Sequence, residues 1–387
     1  MRIAGIIAEY NPFHRGHAWH VQETRRLTGC DFVVACMAGH FTQRGEPALW
    51  SKWDRARMAL ACGVDAVFEL PALFAVRTAD AFARGGVAIL GGLGCDALSF
   101  GSEADLDLLR AMADLRRDEP EGLSKRIREN LDAGMSHARA RGEAVADALG
   151  VAAEDVNRPN AILAAEYLRA IADQGFNLQP VAVKRVGEYH DGALTEHASA
   201  TAIREAIRRG ETDAALSALP EAARPFARPH ALHPMDDMLL YALRGMSLER
   251  LSALPDVAEG LENRLYAASR EASGREALLD ALKCKRYTRA RLSRTLTHAL
   301  LGMDAALVGA HPMPTCARLI GVREGAEPLL AELKKRSRLP IVTRAAELRG
   351  DPVFDLECRA TDIWSLMHDD PGLRRAGREF TEMFVRL

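Results

Sequence analysis

The chain has 387 residues, of which 48% are hydrophobic and 27% are charged, and its formal net charge is −2. These values exclude a disordered, a fibrous and a small disulfide-rich protein, and they predict a globular protein of about two domains. The near-neutral charge argues against non-specific binding to bulk nucleic acid, although it leaves room for a local basic face.

The cysteines and the apolar segments indicate a cellular location. Seven cysteines form no CxxC pair, which is typical of small buried side chains in a reducing cytoplasm. The N-terminal apolar run is broken by Glu9, too early for a signal peptide. No stretch approaches the roughly 18 apolar residues of a membrane span. We therefore expect a cytoplasmic protein with no membrane partner.

The chain begins with a strand, a turn and a helix start. The apolar run Ile3–Ala8 suits a buried parallel strand. Pro12 fixes its own φ and keeps Asn11 out of the α region, so the chain turns just past the end of this strand. From Gly16 onward the spacing of the residues is compatible with a helix.

This junction predicts an anion site. The first N–H groups of a helix have no internal partner and carry the positive end of its dipole, so a phosphate can accept from them. His14 and His17 are three residues apart and lie on one helical face, and Gly16 leaves room for a base or ribose. The simple alternative is a surface histidine pair beside a turn. A metal pair is less favoured because no third ligand is nearby.

Strands and helices then alternate through the first half. Apolar runs predict strands at 31–37, 66–70 and 96–100, and amphipathic spacing predicts helices at 50–62 and 78–93. This order is typical of an α/β fold with a Rossmann-like parallel sheet and helices on both faces. Ligands bind such a sheet outside the carboxyl ends of its strands. The segments to inspect are therefore 9–17, 38–47, 70–78 and 100–103.

Several polar residues follow these strands. Gln43 and Arg44 come after the second strand and are candidate contacts for a phosphate or a small carboxylate, a solvated loop being the alternative. Gly101 follows the fourth strand, where a missing side chain would let a base or ribose cross the end of the strand. The alternative is an ordinary turn glycine. Residues 104–150 are helical and charged, and we interpret them as a solvated excursion. Its basic residues could lie near an RNA backbone: Lys125, Arg126, Arg128, Arg139 and Arg141.

Five further candidate residues lie between 158 and 209. Asn160 is near the start of a helix, where asparagine is usually a cap. A fifth strand at 179–185 brings Arg185 to the ligand edge. Ser199 and Thr201 can cap a helix while they meet a phosphate, and Arg204 lies one turn further on; an ordinary surface arginine is the alternative.

The prolines between 211 and 234 predict a connection between residues 1–210 and a mainly helical part at 235–387. One basic segment in that part contains no acidic residue, and it is either an RNA footprint or a solvated basic helix. We expect its cations to meet phosphates and its tyrosine to stack on a base: Lys283, Lys285, Arg286, Tyr287, Arg289, Arg291 and Arg294.

The quoted residues resemble a known family. HRGH after a first strand is similar to the HxGH signature of the nucleotidyltransferase superfamily. Together, seven ordered strings resemble the bacterial tRNA(Met) cytidine acetate ligases: GIIAEYNPFHRGH (5–17), FTQRGEPA (41–48), KWDRARMAL (52–60), VDAVFELP (64–71), SFGSE (99–103), RPNAIL (158–163) and KRYTRARL (285–292). The string at 198–209 resembles the second nucleotidyltransferase signature, SSTxIR. Ala38, His40 and Ala200 depart from the family patterns.

The resemblance implies a ligase that activates acetate with ATP to acetyl-adenylate. It then transfers the acetyl group to N4 of the wobble cytidine of elongator tRNA(Met), with no DNA partner. ATP is a substrate, Mg²⁺ accompanies its phosphates, and no metal site is expected in the protein. His14 and His17 are the catalytic candidates. The implied ATP-binding residues are Ile7, Ala8, Glu9, Tyr10, Asn11, Pro12, Phe13, His14, Arg15, Gly16, His17, Ala18, Trp19, His20, Gly101, Asn160 and Arg185.

Two other functions stay open. One is a small-molecule adenylyltransferase acting on a nicotinate-type or pantetheine-type phosphate. The other is a non-catalytic RNA-binding protein with a vestigial nucleotide pocket. Salt-sensitive RNA binding distinguishes the first alternative, and acetate-dependent release of pyrophosphate distinguishes the second.

Overall fold

The computed structural model describes residues 1–184, 198–228 and 232–387. Its strands form one sheet in the order β5-β4-β1-β2-β3-β6-β7, and β8 pairs with β6. The strands are β1 Ile3–Ala8, β2 Phe32–Ala38, β3 Ala66–Leu70, β4 Ala97–Ser102, β5 Gln179–Lys184, β6 Ala317–Val322, β7 Ile341–Val342 and β8 Val385–Arg386. The first five are parallel to one another, which confirms the predicted α/β fold.

Helices cover both faces of the sheet. They are α1 Arg15–Thr28, α2 Lys52–Ala61, α3 Ala72–Ala75, α4 Ala79–Gly92, α5 Leu106–Arg117, α6 Glu121–Asp132, α7 His137–Leu149, α8 Ala153–Asn157, α9 Pro159–Gln174, α10 Ala200–Arg208, α11 Thr212–Ser217, α12 Asp236–Arg244, α13 Leu248–Ser252, α14 Leu261–Glu271, α15 Arg275–Leu282, α16 Arg289–Leu301, α17 Ala305–Ala310, α18 Glu327–Arg336, α19 Pro352–Ser365 and α20 Arg378–Thr381. Short 3₁₀ helices span Glu221–Phe226, Ala345–Leu348 and Pro371–Leu373. Within the ranges described, no helix combines the length and the apolar character that crossing a membrane requires.

Alternate strand residues fill two cores, one on each face. Ile3, Val34 and Phe68 pack on the face covered by α4 and α9, and Ile6 and Val67 pack on the face covered by α1, α2 and α10. Because both faces are buried, the strands read as nearly continuous apolar runs. Each fully buried Val, Ile or Phe side chain contributes roughly 1.5–3 kcal/mol to the stability of the sheet.

The order in which strands are added to the sheet changes side at β1. It runs from β1 to β2 and β3 on one side and then returns to β4 on the other side of β1. In open parallel sheets, a ligand crevice forms at such a switch point, outside the carboxyl ends of the two strands. A ligand crevice is therefore expected beside the residues that follow Ala8 and Phe100.

The C-terminal part contributes to the same sheet. β6 pairs antiparallel with β3, and β7 and β8 pair parallel with β6. The predicted segment 235–387 is mainly helical, as expected, but its three strands extend the sheet of residues 1–210. The division into 1–210, 211–234 and 235–387 stays a proposal about the organisation of the chain.

A buried ionic network joins this C-terminal part to the sheet. The Lys52 ammonium lies 3.1 Å from Glu357 and 2.6 Å from Glu379, and it also contacts Glu69. Arg318 pairs with Glu69 at 2.9 Å and with Glu379 at 2.5 Å. A buried charge is tolerated only when it is paired. Removing one member of the network would therefore leave the charges of the others buried and unpaired. The network therefore fixes α19 and α20 against α2, β3 and β6.

Candidate active site

His14 is the N-cap of α1. Its Nδ1 accepts a 3.0 Å hydrogen bond from the Gly16 amide, and His17 Nδ1 accepts a 3.2 Å hydrogen bond from the His14 amide. This reciprocal pattern is a capping box in which two imidazoles replace the usual hydroxyl and carboxylate. The helix start predicted from the turn is confirmed, but one of its amides is already satisfied by His14.

These hydrogen bonds assign the tautomer of both rings. Since Nδ1 is an acceptor in each imidazole, the proton of each neutral ring lies on Nε2. The ring centroids of His14 and His17 are 3.8 Å apart, and both rings line the same cavity. The pair can therefore present two N–H donors to one anionic ligand.

The turn before α1 is held by its neighbours. Tyr10 is buried, has a φ of 48°, and packs its ring against Phe13 and His17 with centroids 4.8 and 4.9 Å away. Asn11 Oδ1 accepts from the Leu49 amide at 2.8 Å. These contacts fix the position of His17 relative to the end of β1.

The loop after β2 forms one wall of the site. The Gln43 amide donates a 2.7 Å hydrogen bond to the Glu9 carboxylate. Burial raises the pKa of Glu9, whereas that amide and the guanidinium groups of Arg204 and Arg44 lower it. The buried Arg55 donates to the main-chain oxygens of Glu9, Ala38 and Gly39, which holds the ends of β1 and β2 together.

The opposite wall combines a polar pair with apolar rings. Asn160 Nδ2 donates a 2.6 Å hydrogen bond to the Glu103 carboxylate, which connects α9 to the end of β4. Asn160 is therefore not a cap; Arg158 occupies the N-cap position. Phe100 and Tyr167 pack with centroids 5.7 Å apart beside Gly101. This wall offers a flat apolar surface next to an amide edge, which suits a purine.

The predicted second signature completes the site. Ser199 caps α10 by accepting from the Ala202 amide at 3.2 Å. Arg204 donates to the Asn11 carbonyl at 2.7 Å and to Thr201 Oγ1 at 3.2 Å. Burial lowers the pKa of Arg204, while Glu46 and Glu9 raise it. This guanidinium is therefore not an ordinary surface arginine: it ties α10 to the turn before α1.

All these walls enclose one cavity of about 330 Å³. The predicted residues that line it are Ile7, Ala8, Glu9, Tyr10, Asn11, His14, Gly16, His17, Trp19, His20, Gln43, Arg44, Gly101, Asn160, Ser199, Thr201 and Arg204. Four other predicted residues lie beside it but do not line it: Pro12, Phe13, Arg15 and Ala18. Arg185 lies outside the described residues, and its role stays a prediction.

The sequence reasoning missed part of the lining. Phe82, Phe100, Leu163 and Tyr167 form its apolar surface. A signal was available for two of them, since Leu163 and Tyr167 follow Asn160 by three and seven residues and so share its helical face. Phe82 lies on α4 and gave no comparable signal.

The residues of the basic segment differ in their exposure and in their ion pairs. Lys283, Lys285 and Arg286 are exposed, as an RNA contact requires. The stacking role expected of Tyr287 is wrong, because its ring is only 2% exposed and its hydroxyl donates to the Ala258 carbonyl at 3.1 Å. Arg289 forms ion pairs with Glu276 and Asp280, which largely neutralise its charge.

His40, one of the departures from the family pattern, lies in the interior of the protein. Its ring is fully buried, Nδ1 lies 2.9 Å from Thr361 Oγ1, and Trp364 packs against it. His40, Glu357 and Glu379 are the group of described residues close enough to hold a metal ion. Lys52 already occupies the space between the two carboxylates, so this cluster is a structural ion network rather than a metal centre.

Comparisons with known proteins show the family of this chain. The model of the HIGH Nucleotidyl Transferase family matches residues 1–379. A tRNA(Met) cytidine acetate ligase from Thermoanaerobacter sp. (strain X514) is 36% identical, and the match covers 100% of both chains. The chain belongs to the HIGH nucleotidyl transferases, among the tRNA(Met) cytidine acetate ligases.

Other members of the family support the same assignment. A tRNA(Met) cytidine acetate ligase from Bacillus subtilis (strain 168) is 38% identical over 96% of this chain and 94% of its own. The crystal structure of Thermotoga maritima TmcAL bound with alpha-thio ATP superposes with a TM-score of 0.91, at 30% identity over 100% of both chains. Its apo form gives a TM-score of 0.93, again at 30% identity and full coverage.

Proposed function

We propose that this protein uses ATP to activate acetate and transfers the acetyl group to N4 of the wobble cytidine of elongator tRNA(Met). One observation carries this proposal: a single cavity unites the paired imidazoles of α1, Gly101, Asn160 and Arg204 at the switch point of the sheet. Full-length relatives that are named tRNA(Met) cytidine acetate ligase support it.

The first half-reaction joins acetate to the nucleotide. An acetate oxygen attacks the α-phosphorus, a new P–O bond forms, and the bond to the β-phosphate oxygen breaks, so that pyrophosphate leaves. The His14 and His17 N–H groups would stabilise the charge that develops on the phosphates. Each charge-assisted hydrogen bond of this kind contributes roughly 1.5–3 kcal/mol.

Other residues would position the nucleotide. The Asn160 amide lies beside the aromatic rings of Phe100 and Tyr167, so that wall fits the adenine. Arg44 and Arg204 lie on the opposite side of the cavity and are candidates for phosphate or acetate contacts. Among the described residues, the carboxylates that line the cavity are Glu9 and Glu46, so Mg²⁺ would be held mainly by the triphosphate rather than by a protein cage.

The second half-reaction moves the acetyl group to RNA. The cytidine N4 attacks the acetyl carbonyl carbon, the bond to the phosphate oxygen breaks, AMP leaves, and N4 loses one proton. For this attack the base has to leave its stack and enter the cavity. A cytoplasmic protein with tRNA and acetate as its partners, and with no DNA partner, is the setting that this reaction implies.

Mass analysis of nucleosides tests the proposal. Incubation with tRNA(Met), ATP and isotopically labelled acetate should yield labelled N4-acetylcytidine at the wobble position. Omission of ATP should abolish the product. Labelled AMP ester without labelled RNA would instead favour a small-molecule enzyme, and the absence of both products would contradict the proposal.

A further inference from the structure

Two arginines from distant parts of the chain lie in one region, because His298, one turn after Arg294, has its Nε2 2.6 Å from the carbonyl oxygen of Val76. Arg77 lies between α3 and α4, and Arg294 lies on α16. The Nε atom of each side chain is buried and has no hydrogen-bond partner among the residues that the structure describes. A buried Nε–H group that lacks a partner has lost hydration without replacement, so it marks a place where an anion would bind favourably.

The charges around these arginines do not balance. Burial lowers the pKa of both guanidinium groups, and the positive charge of Arg77 lowers the pKa of Arg294 further. Both remain protonated at neutral pH, because arginine does not release its proton in proteins. The Asp256 carboxylate faces both of them and raises both pKa values. Asp80 is also near Arg77, but it already pairs with Arg84 and Arg169.

A third arginine increases the excess of positive charge. Arg291 donates to the main-chain oxygen of Asp256 at 2.6 and 3.1 Å and lies over the Tyr287 ring at 4.9 Å. Neither contact neutralises its charge. Three guanidinium groups therefore lie around Asp256, whose Oδ2 itself has no hydrogen-bond partner within the described part of the chain.

This cluster is attached to the wall of the nucleotide cavity. Ser293, which precedes Arg294, donates to the main-chain oxygens of Arg44 and Gly45 in the loop after β2. His298 Nε2 lies 2.6 Å from the carbonyl oxygen of Val76, which precedes Arg77. Backbone contacts on both sides thus hold the arginines at the same edge of the sheet as the cavity.

We propose that Arg77, Arg291 and Arg294 bind a backbone phosphate of the RNA substrate beside the nucleotide cavity. This inference rests on the proposed function and adds the residues that position the RNA strand. Planar guanidinium groups bind a phosphate through two parallel hydrogen bonds, and such contacts fix the register of a nucleic acid. Arg77 comes from the sheet edge and Arg294 from the basic helix, so one phosphate would bridge the two parts of the protein.

Substitutions that remove one charge test this site. Arg77→Gln and Arg294→Gln should each weaken binding of a tRNA(Met) transcript about tenfold near 0.1 M salt. Each should also reduce the slope of log affinity against log salt concentration by about one. Arg250→Gln, which removes an exposed arginine of α13, is the matched control and should change neither quantity. Wild-type affinity and slope in both test variants would overturn the proposal.

A variant with the opposite expected effect on tRNA binding distinguishes a loss of the phosphate site from misfolding. Asp256→Asn removes the carboxylate that faces the arginines, and asparagine tolerates the left-handed φ of 63° at this position. It should tighten tRNA binding severalfold and increase the salt slope, which a damaged protein would not do. Unchanged or weaker binding by a folded Asp256→Asn variant would contradict the inference.

Two further measurements distinguish an RNA phosphate from a different anion and from a different role of Arg77. If Arg77→Gln weakened inhibition by pyrophosphate and left tRNA affinity unchanged, the anion would be pyrophosphate and the RNA site would be excluded. If it reduced tRNA-independent ATP–pyrophosphate exchange as strongly as tRNA binding, Arg77 would support the nucleotide cavity instead, which also overturns the inference. The proposed function fails separately, when the wild-type protein does not acetylate tRNA.

Discussion

Thr297 Oγ1 donates a 2.8 Å hydrogen bond to the carbonyl oxygen of Gly45. This contact joins the basic helix α16 to the loop that walls the nucleotide cavity, across about 250 residues of sequence. The same loop binds the Glu9 carboxylate through the Gln43 amide. A displacement of α16 would therefore also displace residues at the end of β1. The basic helix α16 and the nucleotide cavity are therefore mechanically connected.

Gly45→Ala should break this connection. Gly45 has a φ of +68°, and an added Cβ would lie 2.6 Å from the Ser293 carbonyl oxygen. Gly150→Ala is the matched control, because Gly150 has a φ of +67° and nothing within 4 Å of the added carbon. Both variants should lose about 1 kcal/mol of stability to the left-handed backbone. Only Gly45→Ala should lose more than this and show reduced tRNA acetylation, as measured by thermal unfolding and product formation. Equal losses in both variants would contradict the contact.

Gly16→Ala should separate activity from stability. The new Cβ would lie 2.8 Å from Cε1 of His14, so the imidazole would have to leave its capping position. Alanine is the better helix former, by up to about 1 kcal/mol, so the melting temperature should not fall by more than a few degrees. We expect ATP–pyrophosphate exchange to fall at least tenfold. Gly122→Ala on α6, where nothing lies within 4 Å, should leave exchange unchanged.

His17→Ala tests the chemistry directly. It removes one imidazole of the capping box, so acetate-dependent ATP–pyrophosphate exchange should fall by about two orders of magnitude or more. Binding of tRNA, measured by filter retention, should remain close to that of the wild type, because His17 is not one of the residues to which we assign RNA binding. Undiminished exchange would remove His17 from the reaction.

The pH dependence of stability should report the buried network. Burial and the neighbouring Glu69 carboxylate raise the pKa of Glu357, while the Lys52 ammonium lowers it. The folded protein thus binds a proton that the unfolded chain releases near pH 4.5, so this contribution to stability is lost as pH rises from there through the raised pKa. The loss is up to about 1.4 kcal/mol per pH unit.

Glu357→Gln isolates this effect. The neutral amide keeps the shape of a protonated carboxyl group, so the variant should lack the decline in the free energy of unfolding between about pH 5.5 and 7.5. Urea unfolding at several pH values measures it. Glu347→Gln, at a partly exposed position in a 3₁₀ helix, should parallel the wild type. Parallel curves for Glu357→Gln and the wild type would show that Glu357 is ionised throughout.

Local patterns were sufficient to predict much of the fold. The first strand, Ile3–Ala8, and the third, Ala66–Leu70, have the bounds expected from their apolar runs, because strands buried on both faces carry a continuous hydrophobic signal. The helix start at His14 also follows from nearby residues, since Pro12 and Asn11 end the strand. Gly101 lines the cavity, as its place at the end of the fourth strand predicted, whereas Asn160 and Arg204 were expected there only from the family resemblance.

Long-range pairings were not predictable in this way. Lys52 reads as a polar residue of an amphipathic helix, yet it is fully buried, and two of its three acidic partners, Glu357 and Glu379, come about 300 residues later. The antiparallel pairing of β6 with β3 has no local signal either. Tyr287 lies among exposed cations, so its sequence neighbours gave no indication that its ring is buried.

The late arrival of β6 has a consequence for synthesis on the ribosome. Until residue 322 has emerged, β3 is an unpaired edge strand whose only charged residue is Glu69. Unpaired apolar edge strands pair with other extended chains. Two of the three acidic residues that contact Lys52, Glu357 and Glu379, emerge later still. A nascent chain that already contains every predicted nucleotide-binding residue therefore remains vulnerable to aggregation, and we expect it to depend on chaperones until translation is nearly finished.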